Sequence, residues 1–372
     1  MTNSLGFAVV GLGGAGARYA NALSRGEIAA ARLVGVCDVV PERGKSFGVP
    51  AFRSAQELFA ARGLDAVVIA TPHLSHCALS EAALAAGLHV LAEKPLGVHK
   101  HECERVLAFH AGLGPQRPLF GVVHNYRADA RFRKLKALIS GGHLGAVHRV
   151  IWQATHWFRT DAYYRDSSWR GRFATEGGGV LVNQAPHVLD TLVWLFGPVR
   201  FVRGDCRFGR FHDTEVEDEV SADIEFATGV RALLVISTGE APGVHRLEVA
   251  ADGGRAVLED DVLLLQRNRE LSSTFRRRER SGAPEQLLER CPGPQGFPPG
   301  TALLENFVDA IHGRSALLSP AEQALAAVEL GNAILWSSLL DQRLELPISG
   351  SDFQAVWAEL GARRTARAAG VR

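Results

Sequence analysis

Over its first 127 residues the chain alternates near-continuous apolar runs with amphipathic stretches. The runs are FAVVG, ARLVGVCD, LDAVVIATP, HVLAEKPL and PLFGVVHNYR. A strand that is apolar at nearly every position is covered on both faces, which is the condition of a parallel sheet. The stretches between the runs carry helix ends. Ser54 with Glu57 opens SAQELFAARG as a capping box, and Gly63 closes it. Residues 75–86 read as a helix stopped by Gly87. Strands alternating with helices predict an α/β domain with a doubly wound parallel sheet over residues 1–127.

After Tyr126 the pattern changes. A helix, DARFRKLKALISGG, leads to a strand, HRVIWQATHWF. A polar and aromatic loop follows, RTDAYYRDSSWRGRFATE, and then GGGVLVNQAPHVLDTLVWLFG, a helix entered through three glycines. Residues 199–268 predict antiparallel strands: VRFVRGDCRFGRF, VSADIEFATG, VRALLVISTG, HRLEVAADGG and RAVLEDDVLLLQRN. Thr228-Gly229 and Asp252-Gly253-Gly254 are hairpin signals between them. Residues 270–300 are polar and rich in proline and glycine, so a long excursion is expected there. Two helices finish the chain, one near residues 302–312 and one opened by Ser319-Pro320-Ala321-Glu322. The basic tail, residues 363–372, is expected to fray. The second domain, residues 128–372, is thus an α+β unit with a mostly antiparallel, open-faced sheet. An open face takes its cover from a second copy, so a homo-oligomer, dimer or tetramer, is expected.

Composition narrows the setting. The chain has 372 residues, too many for one small core and suited to two domains. Its formal net charge is +1, which gives no electrostatic reason for a nucleic-acid or membrane partner. The one basic run, Arg276-Arg277-Arg278 with Arg280, is interrupted by Glu279 and reads as a solvated loop. Cys37, Cys77, Cys103, Cys206 and Cys291 lie far apart with no C-x-x-C, so free thiols and a cytoplasmic setting are expected rather than disulfides or a zinc site. There is no basic leader pattern and no apolar segment of bilayer length.

Residues 6–26, GFAVVGLGGAGARYANALSRG, carry the first chemistry. A strand runs into Gly11, Leu12, Gly13, Gly14, Ala15 and Gly16, and a helix follows that stops at Gly26. Such a turn brings backbone N–H groups and the positive end of a helix to a phosphate. Asp38 closes the next strand about 20 residues past Gly16, as the G-x-G-x-x-G dinucleotide fingerprint requires. A carboxylate there accepts from a ribose 2′-hydroxyl and repels a 2′-phosphate, which favours NAD. Arg43 nearby keeps NADP open.

Two further groups follow. Glu93-Lys94-Pro95 ends a buried strand at the cofactor end of the sheet. The lysine is either half of a surface ion pair or a group whose pKa a partly dry, cationic setting lowers into the proton-exchanging range. Asn183, His187 and Asp190 stand at i, i+4 and i+7, on one face of a helix. They are either a satisfied core histidine with its carboxylate or a site in which Asp190 orients the imidazole. Other patterns fail. Gly44-Lys45-Ser46 lacks the earlier glycine of a phosphate loop, His73 and His76 lack further metal ligands, and no G-x-S-x-G occurs. No metal is expected.

With these residues in view, the chain resembles the glucose–fructose oxidoreductase, inositol dehydrogenase and rhizopine catabolism (Gfo/Idh/MocA) family over nearly its whole length. The resemblance lies in G-x-G-x-x-G, Ala70-Thr71-Pro72 with His76, Glu93-Lys94-Pro95 and GGGVLVNQAPHVLD. It implies a Rossmann domain in which Asp38, Thr71, Pro72, His76 and Glu93 hold the dinucleotide. It also implies that Lys94 and His187 work on a substrate hydroxyl and that the Lys94–Pro95 bond is cis. One departure stands out: many members carry aspartate where this chain has Asn183. A neutral amide makes an uncharged Lys94 easier to reach, or moves the base role to His187. The form Asn-Gln-Ala-Pro-His, with Trp157-Phe158-Arg159, Tyr163-Tyr164 and Trp169-Arg170 upstream, looks like the branch acting on sugars and glycosides. In that reading Tyr126, Trp169, Asn183 and Gln184 position the ring. The expected activity is an NAD(P)-dependent dehydrogenase or ketoreductase of a sugar, glycoside or cyclitol. The rivals are a glycosidase or lyase that oxidises transiently and a non-catalytic nucleotide sensor.

Overall fold

A computed structural model of the chain describes residues 4–278, 281–293, 296 and 299–368. The chain divides into two compact units. One comprises Met1–Ala128, Thr175–Gly177 and Pro298–Val328; the other comprises Asp129–Ala174, Gly178–Phe297 and Glu329–Arg372. The sequence reading ended the first domain at residue 127, whereas the helix Gly300–Ile311 counts with the first unit.

The first unit is built on six strands: β1 Leu5–Val10, β2 Ala31–Cys37, β3 Ala51–Phe52, β4 Ala66–Ile69, β5 His89–Ala92 and β6 Phe120–Val122. They pair in parallel in the order β3-β2-β1-β4-β5-β6, the expected doubly wound arrangement. Strand β1 shows why its sequence is apolar throughout. Phe7 and Val9 point to one face, where Tyr19 and Leu23 of the helix Gly14–Ser24 and Leu303 and Phe307 of the helix Gly300–Ile311 cover them. Ala8 and Val10 point to the other, against Leu58, Leu84 and Val106. The Phe7 and Phe307 rings meet edge to face at 6.4 Å. Each such buried side chain contributes roughly 1.5–3 kcal/mol.

One local expectation is corrected and one strand was not foreseen. The helix capped by Ser54, whose side chain accepts from Glu57 N at 3.2 Å, ends at Phe59 rather than at Gly63. Its last turn tightens, with Ala61 N donating to Leu58 O at 3.0 Å. The two-residue strand β3 is too short to carry a periodic signal.

The second unit holds a nine-stranded sheet: β7 Val147–Ala154, β8 Val199–Phe208, β9 Glu217–Phe226, β10 Arg231–Ser237, β11 His245–Ala251, β12 Gly254–Glu259, β13 Val262–Asn268, β14 Gln286–Pro292 and β15 Leu344–Glu345. The order is β14-β13-β12-β11-β7-β10-β9-β8-β15. Every pairing is antiparallel except that of β7 with β10. Period-two burial sets the inner face: Val150, Trp152 and Ala154 on β7, and Ala232, Leu234 and Ile236 on β10. Phe132 stacks on Trp152 at 5.8 Å, and Phe196 of the helix Pro186–Phe196 meets Phe226 at 5.5 Å.

Four expectations change here. RAVLEDDVLLLQRN is a hairpin rather than one strand, because Asp260 (φ 48°) and Asp261 (φ 61°) turn the chain between β12 and β13. The stretch 270–300 is not all excursion: it contains the helix Ser272–Phe275 and the strand β14. The aromatic loop contains the helices Asp161–Arg165 and Phe173–Glu176. A third C-terminal helix, Gly350–Ala368, takes in most of the stretch expected to fray, and residues 369–372 lie outside the described residues. Arg276, Arg277 and Arg278 are exposed as expected, and Glu279 and Arg280 also lie outside the described residues. The five cysteines are unpaired, and no helix among the described residues is long and apolar enough to cross a membrane.

Burial holds three imidazoles below their usual range, His99 and His156 at about 4 and His245 at about 3. The Arg159 charge adds to the effect at His156, and the neighbouring His156 ring adds to it at His245. In the unfolded chain each titrates near 6.5. Below that pH the unfolded chain binds more protons than the folded one, so stability falls as pH drops from about 6.5 towards about 4. Each fully shifted ring costs up to about 1.4 kcal/mol per pH unit, less where solvent screens it. Urea unfolding at pH 5 should therefore give a stability lower than at pH 7 by about 1–3 kcal/mol. An unchanged midpoint would contradict the burial of these rings.

Candidate active site

The predicted residues fall into two groups, one in each unit. In the first unit, β1 runs into the glycine turn and the helix Gly14–Ser24. A Cβ on Gly16 would lie 1.8 Å from the Gly11 carbonyl oxygen, so only glycine lets the helix start this close to the turn. A Cβ on Gly13 or Gly14 would meet nothing within 4 Å. Gly13, at the N-cap, supplies no side-chain acceptor for the first-turn N–H groups. Open space in front of unsatisfied N–H donors at a helix N-terminus fits a pyrophosphate. Leu12 is buried and Ala15 half-buried on the same turn.

Asp38 follows β2 and is 8% exposed. Its Oδ2 accepts from Leu12 N at 2.6 Å and its Oδ1 from Val40 N at 2.8 Å, with Arg43 Nη1 at 3.4 Å. The carboxylate therefore ties the glycine turn to the end of β2 and carries a fixed negative charge there. That charge fits a ribose diol.

The ends of β4 and β5 supply the rest. Thr71 Oγ1 and Ser75 Oγ lie 2.7 Å apart, and Ser75 Oγ donates to Pro72 O at 2.7 Å. His76 is fully buried between two loops: its Nδ1 is 2.7 Å from Pro95 O and its Nε2 2.8 Å from Thr71 O. Burial lowers its pKa, and the two carbonyls oppose that shift. A neutral imidazole has one N–H, so it donates to one of these carbonyls, whereas the protonated ring donates to both. Glu93 accepts from Tyr19 OH at 2.6 Å through Oε1 and from Lys94 N at 3.2 Å through Oε2. Lys94 is half-buried, and its peptide bond to Pro95 is cis. Tyr126, expected to touch substrate, is 3% exposed. The sequence reading missed Tyr19. Nothing in the chain marks a helical tyrosine as the partner of a carboxylate on a strand 74 residues away.

In the second unit, the three glycines mark a close backbone crossing. A Cβ on Gly179 would lie 1.9 Å from Glu217 O. Glu217, 1% exposed, accepts from Gly179 N at 2.9 Å and Leu181 N at 3.1 Å through Oε1. A buried carboxylate thus holds the start of the helix Val180–Asn183.

The expected single helical stripe is corrected. Asn183 ends the helix Val180–Asn183, while His187 and Asp190 stand on the separate helix Pro186–Phe196. Pro186 has no N–H to continue the ladder, so the helix breaks before it. His187 is half-buried, its carbonyl accepting from Thr191 Oγ1 at 2.7 Å. Asp190 and Gln184 are buried.

Asn183 Nδ2 donates to Tyr163 OH at 3.4 Å. Around the Tyr163 ring gather the guanidinium carbons of Arg170 at 4.3 Å and Arg159 at 4.8 Å, and Arg170 also lies 4.6 Å from the Trp169 ring. The aromatic residues of this segment were legible as ring-binding candidates. The convergence of two arginines on one of them was not. Among the described residues no group of three or more His, Cys, Asp or Glu is placed to hold a metal ion.

Comparison with known proteins bears on both units. Residues 5–115 match the family described as oxidoreductase family, NAD-binding Rossmann fold, and residues 132–257 match the GFO/IDH/MocA C-terminal domain. A Comamonas testosteroni protein named 1-carboxy-3-chloro-3,4-dihydroxycyclo hexa-1,5-diene dehydrogenase is 34% identical over 47% of this chain and 42% of its own length. An inositol 2-dehydrogenase of Burkholderia lata is 28% identical over 70% of this chain and 75% of its own. The chain spans about half, or less, of the length of several curated relatives it matches. The WlbA dehydrogenase of Chromobacterium violaceum, solved with NADH and UDP-GlcNAcA, shares the fold with a TM-score of 0.79 at 22% identity, over 93% of this chain and 97% of that one.

Removing the Asp38 carboxylate should weaken NAD binding. Asp38→Ala is expected to raise the NAD Kd about tenfold or more, since it removes a charged acceptor and releases two backbone donors. Titration calorimetry would read it, and an unchanged Kd would remove Asp38 from the cofactor site.

Proposed function

This chain belongs to the GFO/IDH/MocA oxidoreductase family, and from that premise we propose that it is an NAD-dependent dehydrogenase acting on a secondary hydroxyl of a sugar, glycoside or cyclitol. A nicotinamide cofactor held by the glycine turn and Asp38 would supply the hydride acceptor for oxidation and, in its reduced form, the hydride donor for reduction. The observation that carries the reading is the set of groups at the carboxyl ends of β1, β2, β4 and β5. There the open glycine turn, Asp38, Thr71 and Glu93-Lys94 occur together.

The chain's own part is holding and moving a proton. Gly13 and Gly14 N–H groups receive the pyrophosphate, and Asp38 receives a ribose. Glu93, steadied by Tyr19 and the Lys94 N–H, fixes the backbone that presents Lys94. Lys94 Nζ or the His187 ring takes the hydroxyl proton during oxidation and returns it during reduction. Asn183, Gln184, Trp169 and Tyr126 orient the ring, and Asp190 steadies the His187 helix. Asn183 is neutral and does not hold a positive charge on the base. The fixed negative charge of Asp38 favours NAD over NADP. The relatives named for inositol and for a dihydroxycyclohexadiene support a cyclic secondary alcohol as the substrate type.

The test is reduction of NAD, followed by absorbance, against a panel of sugars, glycosides, anhydrosugars and inositols. Lys94→Ala and His187→Ala should each lower kcat/KM by roughly 10²–10⁴-fold while NAD still binds. Full turnover in both variants would overturn the assignment.

We also propose a homo-oligomer. The face of the second sheet opposite its inner residues carries Leu233, 47% exposed, beside Ile151 on one neighbouring strand and Asp223 on the other. Light scattering at micromolar concentration should give at least twice the 40.1 kDa chain mass; a monomeric mass would refute it.

A further inference from the structure

The segment Asp161–Arg165 and the residues just before and after it hold a feature that a neutral sugar ring does not need. Arg159 and Arg170 both lie against the Tyr163 ring, at 4.8 and 4.3 Å from its centre. The two distances keep the guanidinium carbons within about 9 Å of each other, about one Debye length at physiological salt. Neither guanidinium has a carboxylate partner among the described residues. Among the described residues the only side-chain donation of Arg159 is Nη1 to the Phe158 carbonyl at 3.1 Å, and the Nε atoms of both arginines are buried without a hydrogen-bond partner there. Three acids of this unit are engaged elsewhere. Asp166 pairs with Arg165 at 3.1 Å, Glu217 accepts from Gly179 and Leu181, and Asp218 accepts from Arg210, Phe211 and His212 N–H groups. Two half-buried like charges held together without a counter-charge repel each other, and an anion relieves that repulsion. The same tyrosine accepts from Asn183 at 3.4 Å, which joins the pair to the segment proposed to orient the substrate.

We propose that Arg159 and Arg170 form an oxyanion subsite that takes a carboxylate or phosphate carried by the substrate, so that the preferred substrate is an acidic sugar or cyclitol rather than a neutral one. The placement of this subsite rests on the dehydrogenase reading of Asn183 and His187. Planar guanidinium groups suit a carboxylate or a phosphate, which they bind with two N–H donors each. Tyr163 lies against both guanidinium groups and Trp169 against that of Arg170, so the aromatic rings hold the two charges in place.

The experiment compares D-glucuronate and D-glucose 6-phosphate with D-glucose and myo-inositol. It measures NAD reduction, and it measures calorimetric binding of each sugar to the NADH-loaded protein. Wild type and the variants R159Q, R170Q and R170K are used, each checked for an unchanged melting temperature and NAD Kd. One anionic sugar should bind at least about tenfold more tightly than its neutral counterpart. R170Q or R159Q should remove that preference, and R170K, which keeps the charge, should restore part of it. The uronate and phosphate arms tell which oxyanion is taken. If neutral sugars are oxidised and anionic ones neither react nor compete, the dehydrogenase reading stands and the subsite is refuted. If an anionic sugar binds wild type but not R170Q, and no sugar reduces NAD, the subsite stands and the dehydrogenase reading falls. Equal affinity of the variants for the anionic sugar overturns the proposal.

Discussion

A parallel strand must be covered on both faces, and that constraint arranges the whole chain. Strand β1 places Phe7 and Val9 on one side and Ala8 and Val10 on the other, and all four are buried. The helix that directly follows β1 covers only part of the first side. Leu303 and Phe307 complete it, and they come from a helix that begins at Gly300. The first unit is therefore closed by a segment from far along the chain, and in sequence most of the second unit falls between the two longest of the three segments that make the first. A discontinuous domain follows from the need to bury one strand.

That constraint also sets what the sequence discloses. Continuous apolar runs reported β1, β2, β4, β5 and β6, because two-faced burial leaves a mark at every residue. Period-two alternation reported the inner strands of the second sheet, and the two hairpin signals fall at real turns: Ala251 pairs with Gly254, and Phe226 N donates to Val230 O at 2.9 Å. Strand β14 left no mark. It is an edge strand, with Leu287 and Leu288 exposed at 50% and 65%, so no burial pattern betrays it. Asp260 and Asp261 lie in an unbroken acidic and apolar run, and only their positive φ angles reveal the turn. The break before His187 was readable in principle, since Pro186 forbids a continuous helix, but the apolar period across it was strong enough to hide the break.

The candidate site was legible where chemistry depends on local spacing, and illegible where it depends on meeting across the fold. Gly11 to Gly16, Asp38 and Glu93-Lys94 stand at strand ends that the pattern locates. The partners that give them their geometry do not. Tyr19 reaches Glu93 from a helix, and His76 spans the loops after β4 and β5. Glu217 fixes the glycine crossing from a strand in the other part of the sequence. None of these pairings has a sequence period, and each is one or two hydrogen bonds between elements separated in sequence.

A common device runs through both units. Asp38, Glu217 and Asp218 are buried carboxylates whose oxygens accept backbone N–H groups. A buried charge left unpaired is costly, and a backbone donor satisfies it without adding a counter-ion. These acids consequently fix the chain chiefly through its backbone, Asp38 also meeting Arg43 at 3.4 Å and Asp218 the His212 ring at 3.1 Å. The consequence is sharpest beside Tyr163. Asp218, which lies in the same hydrogen-bonded stretch as Arg159 through His212, is committed to backbone donors, and Arg159 and Arg170 pack on the Tyr163 ring without a carboxylate partner among the described residues.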